Sequence, residues 1–387
     1  MRIGLARRGY SASGGAERFL LRFAEGLRAA GHEPVFCVDR AWRKAGLKSD
    51  EVVWLDGMTP LTFANTMRQT LATDVCDCLF SLERGWACDV YRAGDGVHKA
   101  WLDRRSAFEP SYKSWFRAIQ SKHRAMMRLE ASLLGDTSHC PAVVVNSKMV
   151  AKEIAEHYPD RDPDSVHLVY NGYDPVVEPE TLDRAAMRAE VRRELGISDQ
   201  EKVVLFVGSG WERKGLPDLI KASSGQNCRL VVAGRGRMRS EWKGRKQVTF
   251  LGPRKDVARL LMMADVFALP TYYDPFSNAT LEAARHGLPV ITTTANGFHE
   301  VMTEGVHGSA VDAGDVSALA AAIDHWATLE NDDTVFSRCL ENVKPFTIDR
   351  NVSETLKVVA NADRVGLGVA TAGNPTPVGS PQTIWRS

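Results

Sequence analysis

Short runs of unbroken apolar sequence divide the second half of the chain, at residues 203–207, 230–233, 248–251, 266–269 and 290–292. A strand with one wet face alternates apolar and polar residues. A run that is apolar throughout suits a strand covered on both faces, as in a parallel sheet. Helical patterns separate several of the runs, notably residues 256–264 and 279–286. Strands alternating with helices are the pattern of a doubly wound α/β sheet. The N-terminus repeats it: an apolar strand at residues 3–6 leads to a helix over 16–30, then to another apolar run at 35–38. In that helix Phe19, Leu20, Phe23, Ala24 and Leu27 recur at helical spacing, and Gly31 stands where a left-handed cap would end it.

A chain of 387 residues exceeds one comfortable core, since domains commonly hold roughly 100–200 residues. Two domains facing across a cleft are expected. Turn-forming residues at 170–175 mark the joint, which predicts a first domain over residues 1–172 and a second over 173–346. A closing helix at about 347–363 is expected to pack back on the first domain. The segment 366–387 is rich in Gly, Pro, Ser and Thr and is expected to lie loose.

Lys and Arg number 49 against 48 Asp and Glu, so nothing in the net charge argues for nucleic acid, and any electrostatic function must be local. Seven cysteines, with no Cys-x-x-Cys pair, argue against a disulfide framework or a zinc site and for reduced cytoplasmic thiols. The N-terminus opens directly on a strand without a leader pattern, so export is not expected. No run of about 18 apolar residues is present, so no helix is expected to span a bilayer.

The loop 9–17 joins the first strand to the first helix and contains Gly14 and Gly15. Adjacent glycines let a backbone approach a ligand closely, and a helix start presents free amides that suit phosphate. The loop matches neither Gly-x-Gly-x-x-Gly nor the Lys-ended phosphate loop, and by itself it is equally compatible with a plain tight turn. After the strand at 203–207 come Gly208 and then the adjacent cations Arg213 and Lys214. Arg offers a planar fork to phosphate oxygens and Lys a compact point charge, although a solvated pair in a loop is the competing reading. After the strand at 266–269 follow Asp274, Phe276, Ser277, Asn278 and, inside the next helix, Glu282. Ser277 or Asn278 can cap that helix. Glu282 stands among Leu281, Ala283, Ala284 and Leu288, where a buried partner is expected.

In their order along the chain, residues 14–18, 213–215, 251–257, 264–266 and 274–290 resemble family 4 of the retaining glycosyltransferases. The resemblance covers roughly residues 1–362. It implies the GT-B fold, two Rossmann-like domains facing across a cleft. It further implies that Arg213 and Lys214 hold a diphosphate and that Glu282 binds the donor ribose. Asp274 and the amides of Phe276, Ser277 and Asn278 would meet the transferred sugar and phosphate, and Gly14 and Gly15 would close from the opposite domain. Gly208 and the backbone of Pro253 and Arg254 would flank the base. The family commonly has Glu where Asp274 stands here, which shortens that carboxylate's reach.

Residues 89–101 are similar to the acceptor-side loop of lipopolysaccharide-core glucosyltransferases in this family, with Asp95 and His98 as polar groups near the reacting hydroxyl. The following stretch carries Arg104, Arg105, Lys113, Arg117, Lys122, Arg124 and Arg128 against two Glu, interleaved with aromatic residues including Trp115 and Phe116. Basic and aromatic residues mixed in this way suit anionic lipid headgroups, as in the related core transferases, while a solvated helix covering the core competes. The expected function is transfer of a hexose from a nucleoside diphosphate sugar, UDP-glucose by resemblance, to a glycolipid or saccharide of the lipopolysaccharide core or another cell-envelope glycan. Retention of configuration is implied, as is the absence of a metal or other cofactor. The expected location is cytoplasmic, at the inner face of the inner membrane. A same-fold epimerase or phosphorylase, or a non-catalytic saccharide- or nucleotide-binding scaffold, is the alternative.

Overall fold

In a computed structural model the described residues are 1–11, 14–71, 75–108, 121–173, 183–329 and 333–365. Lys113, Trp115, Phe116 and Arg117, part of the expected joint and the segment 366–387 lie outside them. Two all-parallel sheets organise the described residues. The N-terminal sheet comprises β1 (Arg2–Arg7), β2 (Glu33–Val38), β3 (Val52–Trp54), β4 (Cys78–Ser81), β5 (Val90–Arg92), β6 (Ala142–Val145) and β7 (Val166–Leu168), in the order β3-β2-β1-β4-β5-β6-β7. The C-terminal sheet comprises β8 (Lys202–Val207), β9 (Cys228–Ala233), β10 (Val248–Gly252), β11 (Val266–Ala268), β12 (Val290–Thr293) and β13 (Gly308–Val311), in the order β10-β9-β8-β11-β12-β13.

The unbroken apolar runs become central strands because helices cover both their faces. Val203, Val204, Leu205 and Phe206 are fully buried, and Val204 pairs with Leu230 on one side and Val266 on the other. One core cluster fills the C-terminal domain. Two others lie in the N-terminal domain, one holding Phe23, Phe36 and Phe80 and the other Phe63, Leu79 and Val143. The closing helix Ile348–Asn361 belongs to the N-terminal domain, since Ile348, Val352 and Val359 share a cluster with Phe23 and Leu27 of the helix Gly15–Ala29.

Strand order reverses between β1 and β4 and again between β8 and β11. At such a point the loops leaving the two strands turn opposite ways and open a crevice. The loop after β1 carries Gly14 and Gly15. The loop after β8 carries Arg213 and Lys214, and that after β11 carries Asp274. The two crevices face each other.

The N-terminal half is more finely divided than its patterning suggests. Residues 89–101, expected as one loop, contain β5, a tight turn at Ala93–Gly96 and the start of the helix His98–Phe108. Among the described residues no helix is long and apolar enough to cross a membrane.

Candidate active site in the interdomain cleft

Lys214 and Asp274 form a tight ion pair, with both side chains nearly enclosed. Burial pulls the pKa of the Lys214 ammonium down and the Asp274 carboxylate opposes that pull. Beside them the Arg213 guanidinium donates to the Tyr273 carbonyl at 2.8 Å. Gly215 follows at φ +75°, and a Cβ there would lie 1.8 Å from the Pro270 carbonyl oxygen. Only glycine lets the loop after β8 lie this close to the end of β11. The backbone of Asp274 is held on both sides, its amide donating to Ala295 and its carbonyl accepting from Gly297.

Ser277 takes the cap position of the helix Asn278–Arg285, but its side chain makes no capping bond. Its amide instead donates to the buried Asn296 side chain at 3.2 Å. The start of this helix lies against Gly15 of the N-terminal domain. A Cβ on Gly15 would approach the Asn278 side-chain nitrogen to 2.7 Å, so the glycine loop of one domain rests on the helix start of the other. Two cations beside one carboxylate and a helix start form a cluster whose chemistry suits an anion. Gly208 lies at the end of β8, where its amide donates to Ala233. Arg254, beside Pro253 in the loop after β10, is tied to Asp256 at 2.7 Å.

Glu282 departs from expectation. Its side chain is one-third exposed and meets Arg18 of the N-terminal domain at 3.3 Å. The apolar neighbours Leu281, Ala283 and Ala284 turn inward, and Glu282 lies on the flank of the helix that faces the cleft.

In the turn expected to face an acceptor, Asp95 is more than half exposed and pairs with Arg7 at 3.2 Å. Desolvation pushes its carboxyl up, but Arg7 and Arg84 outweigh that effect and hold it below the usual carboxylate range. His98 sits at the start of its helix with Nε2 3.0 Å from His123 Nδ1. Burial, reinforced by Arg84, lowers its pKa to about 4. It is therefore neutral at ordinary pH, able to orient a hydroxyl but a weak proton acceptor. A depressed histidine pKa means the folded state binds fewer protons than the unfolded chain between about pH 6.5 and 4. Stability from this group is complete above that window and falls as pH drops through it. His98→Asn should flatten part of that acid-side decline, read as unfolding midpoints from pH 7 to 4. His167, His286 and His307 have pKa values shifted the same way and leave the remainder.

Several residues not singled out in the sequence complete the site. Glu130, completely buried, accepts from Arg84 at 2.9 Å and from the His98 and Lys99 amides at 2.6 and 3.1 Å. Asn171 bridges the domains: it accepts from buried Arg92 at 2.8 Å and donates to the Phe276 carbonyl and Asn278 side chain at 3.1 and 2.8 Å. Glu300 of the C-terminal domain accepts from the Lys148 and Met149 amides, both at 2.7 Å, at the start of an N-terminal-domain helix. The order Tyr170-Asn171-Gly172 was a turn signal, but nothing local marks these carboxylates.

The basic stretch is divided. Arg104 turns inward, 3.0 Å from the buried Glu153, because that carboxylate needs a cation. Arg105 lies over the Trp101 ring, while Lys122, Arg124 and Arg128 are exposed on the helix Ser121–Leu134. Among the described residues no group of three or more His, Cys, Asp or Glu could hold a metal ion. A separate cavity of about 910 Å³, lined by Asp162, His167 and Lys357 among others, lies between β7 and the closing helix.

Residues 201–328 match the family model described as Glycosyl transferases group 1. The D-inositol 3-phosphate glycosyltransferase of Corynebacterium glutamicum is 32% identical over 211 residues, 49% of each chain. An uncharacterised glycosyltransferase of Methanocaldococcus jannaschii is 31% identical over 195 residues, 47% of this chain and 50% of its own. The match thus spans about half the length of these relatives. Among solved structures, WaaG, a glycosyltransferase involved in lipopolysaccharide biosynthesis, superposes with a TM-score of 0.74 at 20% identity, covering 93% of this chain and 100% of that one. Anabaena HepE in complex with UDP-glucose gives 0.65 at 18% identity, covering 92% and 99%. Both likenesses show that the fold is GT-B, as expected.

Proposed function

We propose that this chain, whose residues 201–328 form a group 1 glycosyltransferase domain, transfers a hexose from a nucleoside diphosphate sugar to a hydroxyl of a saccharide or glycolipid. The observation that carries the reading is the Arg213–Lys214 cation pair set against Asp274 and a helix start, directly under the Gly14–Gly15 loop of the facing domain. As the glycosidic bond breaks, negative charge grows on the departing diphosphate. Preorganised cations and amides stabilise that charge without reorganising, and in this reading they do so without a metal. Closure of the two domains would exclude water and favour transfer over hydrolysis. Retention of configuration, UDP-glucose as donor and a cell-envelope acceptor are parts of the proposal supported by the resemblance of the ordered motifs.

The test is a panel of nucleotide sugars incubated with and without saccharide acceptors. Acceptor-dependent release of nucleoside diphosphate, with the product's anomeric configuration read by NMR, is the expected result. Release of sugar phosphate, or nucleotide binding with no turnover, would replace this reading with a phosphorylase or a scaffold.

Glu282→Ala should raise the donor KM by about 10- to 100-fold, the loss expected for hydrogen bonds from ribose hydroxyls to a charged group. Its kcat should change far less, because ribose contacts are the same in ground and transition states. Arg18→Ala, which removes a largely exposed ion pair, should shift either constant by less than about fivefold. Initial-rate kinetics with the donor varied separates the two effects.

The exposed cations Lys122, Arg124 and Arg128 support a second element of the proposal, contact with an anionic membrane surface. Replacing all three with Gln should weaken binding to phosphatidylglycerol vesicles by roughly 100-fold, at about 1 kcal/mol per charge, as read by co-sedimentation. Unchanged binding, or equal binding to neutral vesicles, removes the membrane from the proposal.

A further inference from the structure

Tyr273 belongs to the C-terminal domain by sequence, but its side chain is packed into the N-terminal domain. It is 3% exposed, and its hydroxyl donates to Glu153 at 2.7 Å while accepting from the Val97 amide at 3.0 Å. Its ring stacks on Trp101 at 5.8 Å, and the Arg104 guanidinium lies 5.5 Å from its centre. Gly96 is shaped around it: φ is +72°, and a Cβ there would lie 2.1 Å from the tyrosine hydroxyl. The backbone carbonyl of Tyr273 accepts from Arg213 at 2.8 Å and from the Thr271 hydroxyl at 3.2 Å. One residue therefore touches both halves of the cleft, gripping a donor-side cation through its main chain and the turn between Asp95 and His98 through its side chain.

We infer that Tyr273 is a positioning residue that ties donor-site occupancy to order in the acceptor-side turn. This rests on the glycosyl-transfer reading for the names of the two sides. The alternative to the inserted arrangement is a withdrawn one. With the ring inserted, the Val97 amide is satisfied and Asp95 is presented beside Arg7. With it withdrawn, Glu153 loses a buried donor, the Val97 amide loses its acceptor, and the cavity left between Trp101 and Gly96 fills with water. An anion on Arg213 stiffens the loop that carries Tyr273, and so favours the inserted arrangement at the turn. The coupling is reciprocal by linkage.

Hydrogen–deuterium exchange of the full chain tests this with UDP as the probe and requires no acceptor. In the wild type, UDP should slow exchange in a peptide spanning residues 94–101. Tyr273→Phe keeps the stack on Trp101 and removes both hydroxyl bonds. It should speed basal exchange at Val97 by roughly tenfold, the worth of a buried neutral hydrogen bond, and abolish the response to UDP. UDP affinity, measured by calorimetry, should change far less, because the carbonyl contact to Arg213 remains. Glu153→Gln, which preserves the shape and weakens the same bond, should show a smaller change in the same direction and serves if the first variant does not fold. A turn whose exchange and UDP response match the wild type in these variants overturns the inference. A wild type that binds neither UDP nor any other nucleotide of the panel overturns the glycosyl-transfer reading instead, so the two failures are distinct.

Discussion

Lys214→Ala is expected to lower turnover of the nucleotide sugar by about 10²- to 10³-fold, the usual cost of removing one preorganised donor from a developing anion. The expectation comes from enclosure. Lys214 is almost sealed from solvent and its charge is balanced by Asp274, so no water replaces it when it is removed. The variant also strands the Asp274 carboxylate in a buried position beside the incoming diphosphate, adding repulsion to the lost attraction. That second effect lowers stability too and has to be separated from the first. Adding Asp274→Ala to Lys214→Ala removes the stranded charge, so the double variant should recover the unfolding midpoint while turnover stays low. Lys214→Arg should not restore activity, since a planar fork on a longer stem cannot occupy the position of a compact ammonium. Turnover within tenfold of the wild type in Lys214→Ala would remove the cation pair from the mechanism.

The donor side was legible in the sequence because its residues follow directly from strands that announce themselves. Buried on both faces, β11 and β8 beyond its first residue, Lys202, are apolar, and the loops past their ends fall at the reversal of strand order. Arg213, Lys214 and Asp274 thus meet for topological reasons that periodicity can reveal. The acceptor side was harder. β5 has only three residues and ends in Arg92, which looks like a surface residue yet lies buried, its guanidinium 3.8 Å from the centre of the Phe19 ring. Glu282 looked buried because its neighbours are apolar, but on a helix adjacent residues face different ways. The carboxylates Glu130, Glu153 and Glu300 take partners far along the chain, several of them backbone amides, which carry no side-chain signal. Glu130 in particular was one of two acids in a basic stretch and seemed part of a wet face.

That residue supports the second large prediction. Glu130→Ala should destabilise the N-terminal domain by about 3–5 kcal/mol, the cost of breaking a buried ion pair from one side, lowering its transition by about 6–20 °C. Arg84 would keep its bond to the Gly96 carbonyl at 2.6 Å but lose its carboxylate. The Tyr158 hydroxyl, 3.0 Å from Glu130, and the first two amides of the helix His98–Phe108 would lose an acceptor in the same step. Glu130→Gln keeps the shape and part of the hydrogen bonding, so it should fall between the alanine variant and the wild type. The damage should be local: Arg213, Lys214 and Glu282 belong to the C-terminal domain, so nucleotide binding should outlast the loss of acceptor-dependent turnover. Thermal unfolding followed alongside UDP titration measures both. If the midpoint does not move, water has entered to satisfy Arg84 and the helix start, and the acceptor side is wetter than its packing indicates. If nucleotide binding collapses together with the midpoint, the two domains unfold as one unit and the contacts of Tyr273, Asn171 and Glu300 across the cleft carry more of the stability than either sheet alone.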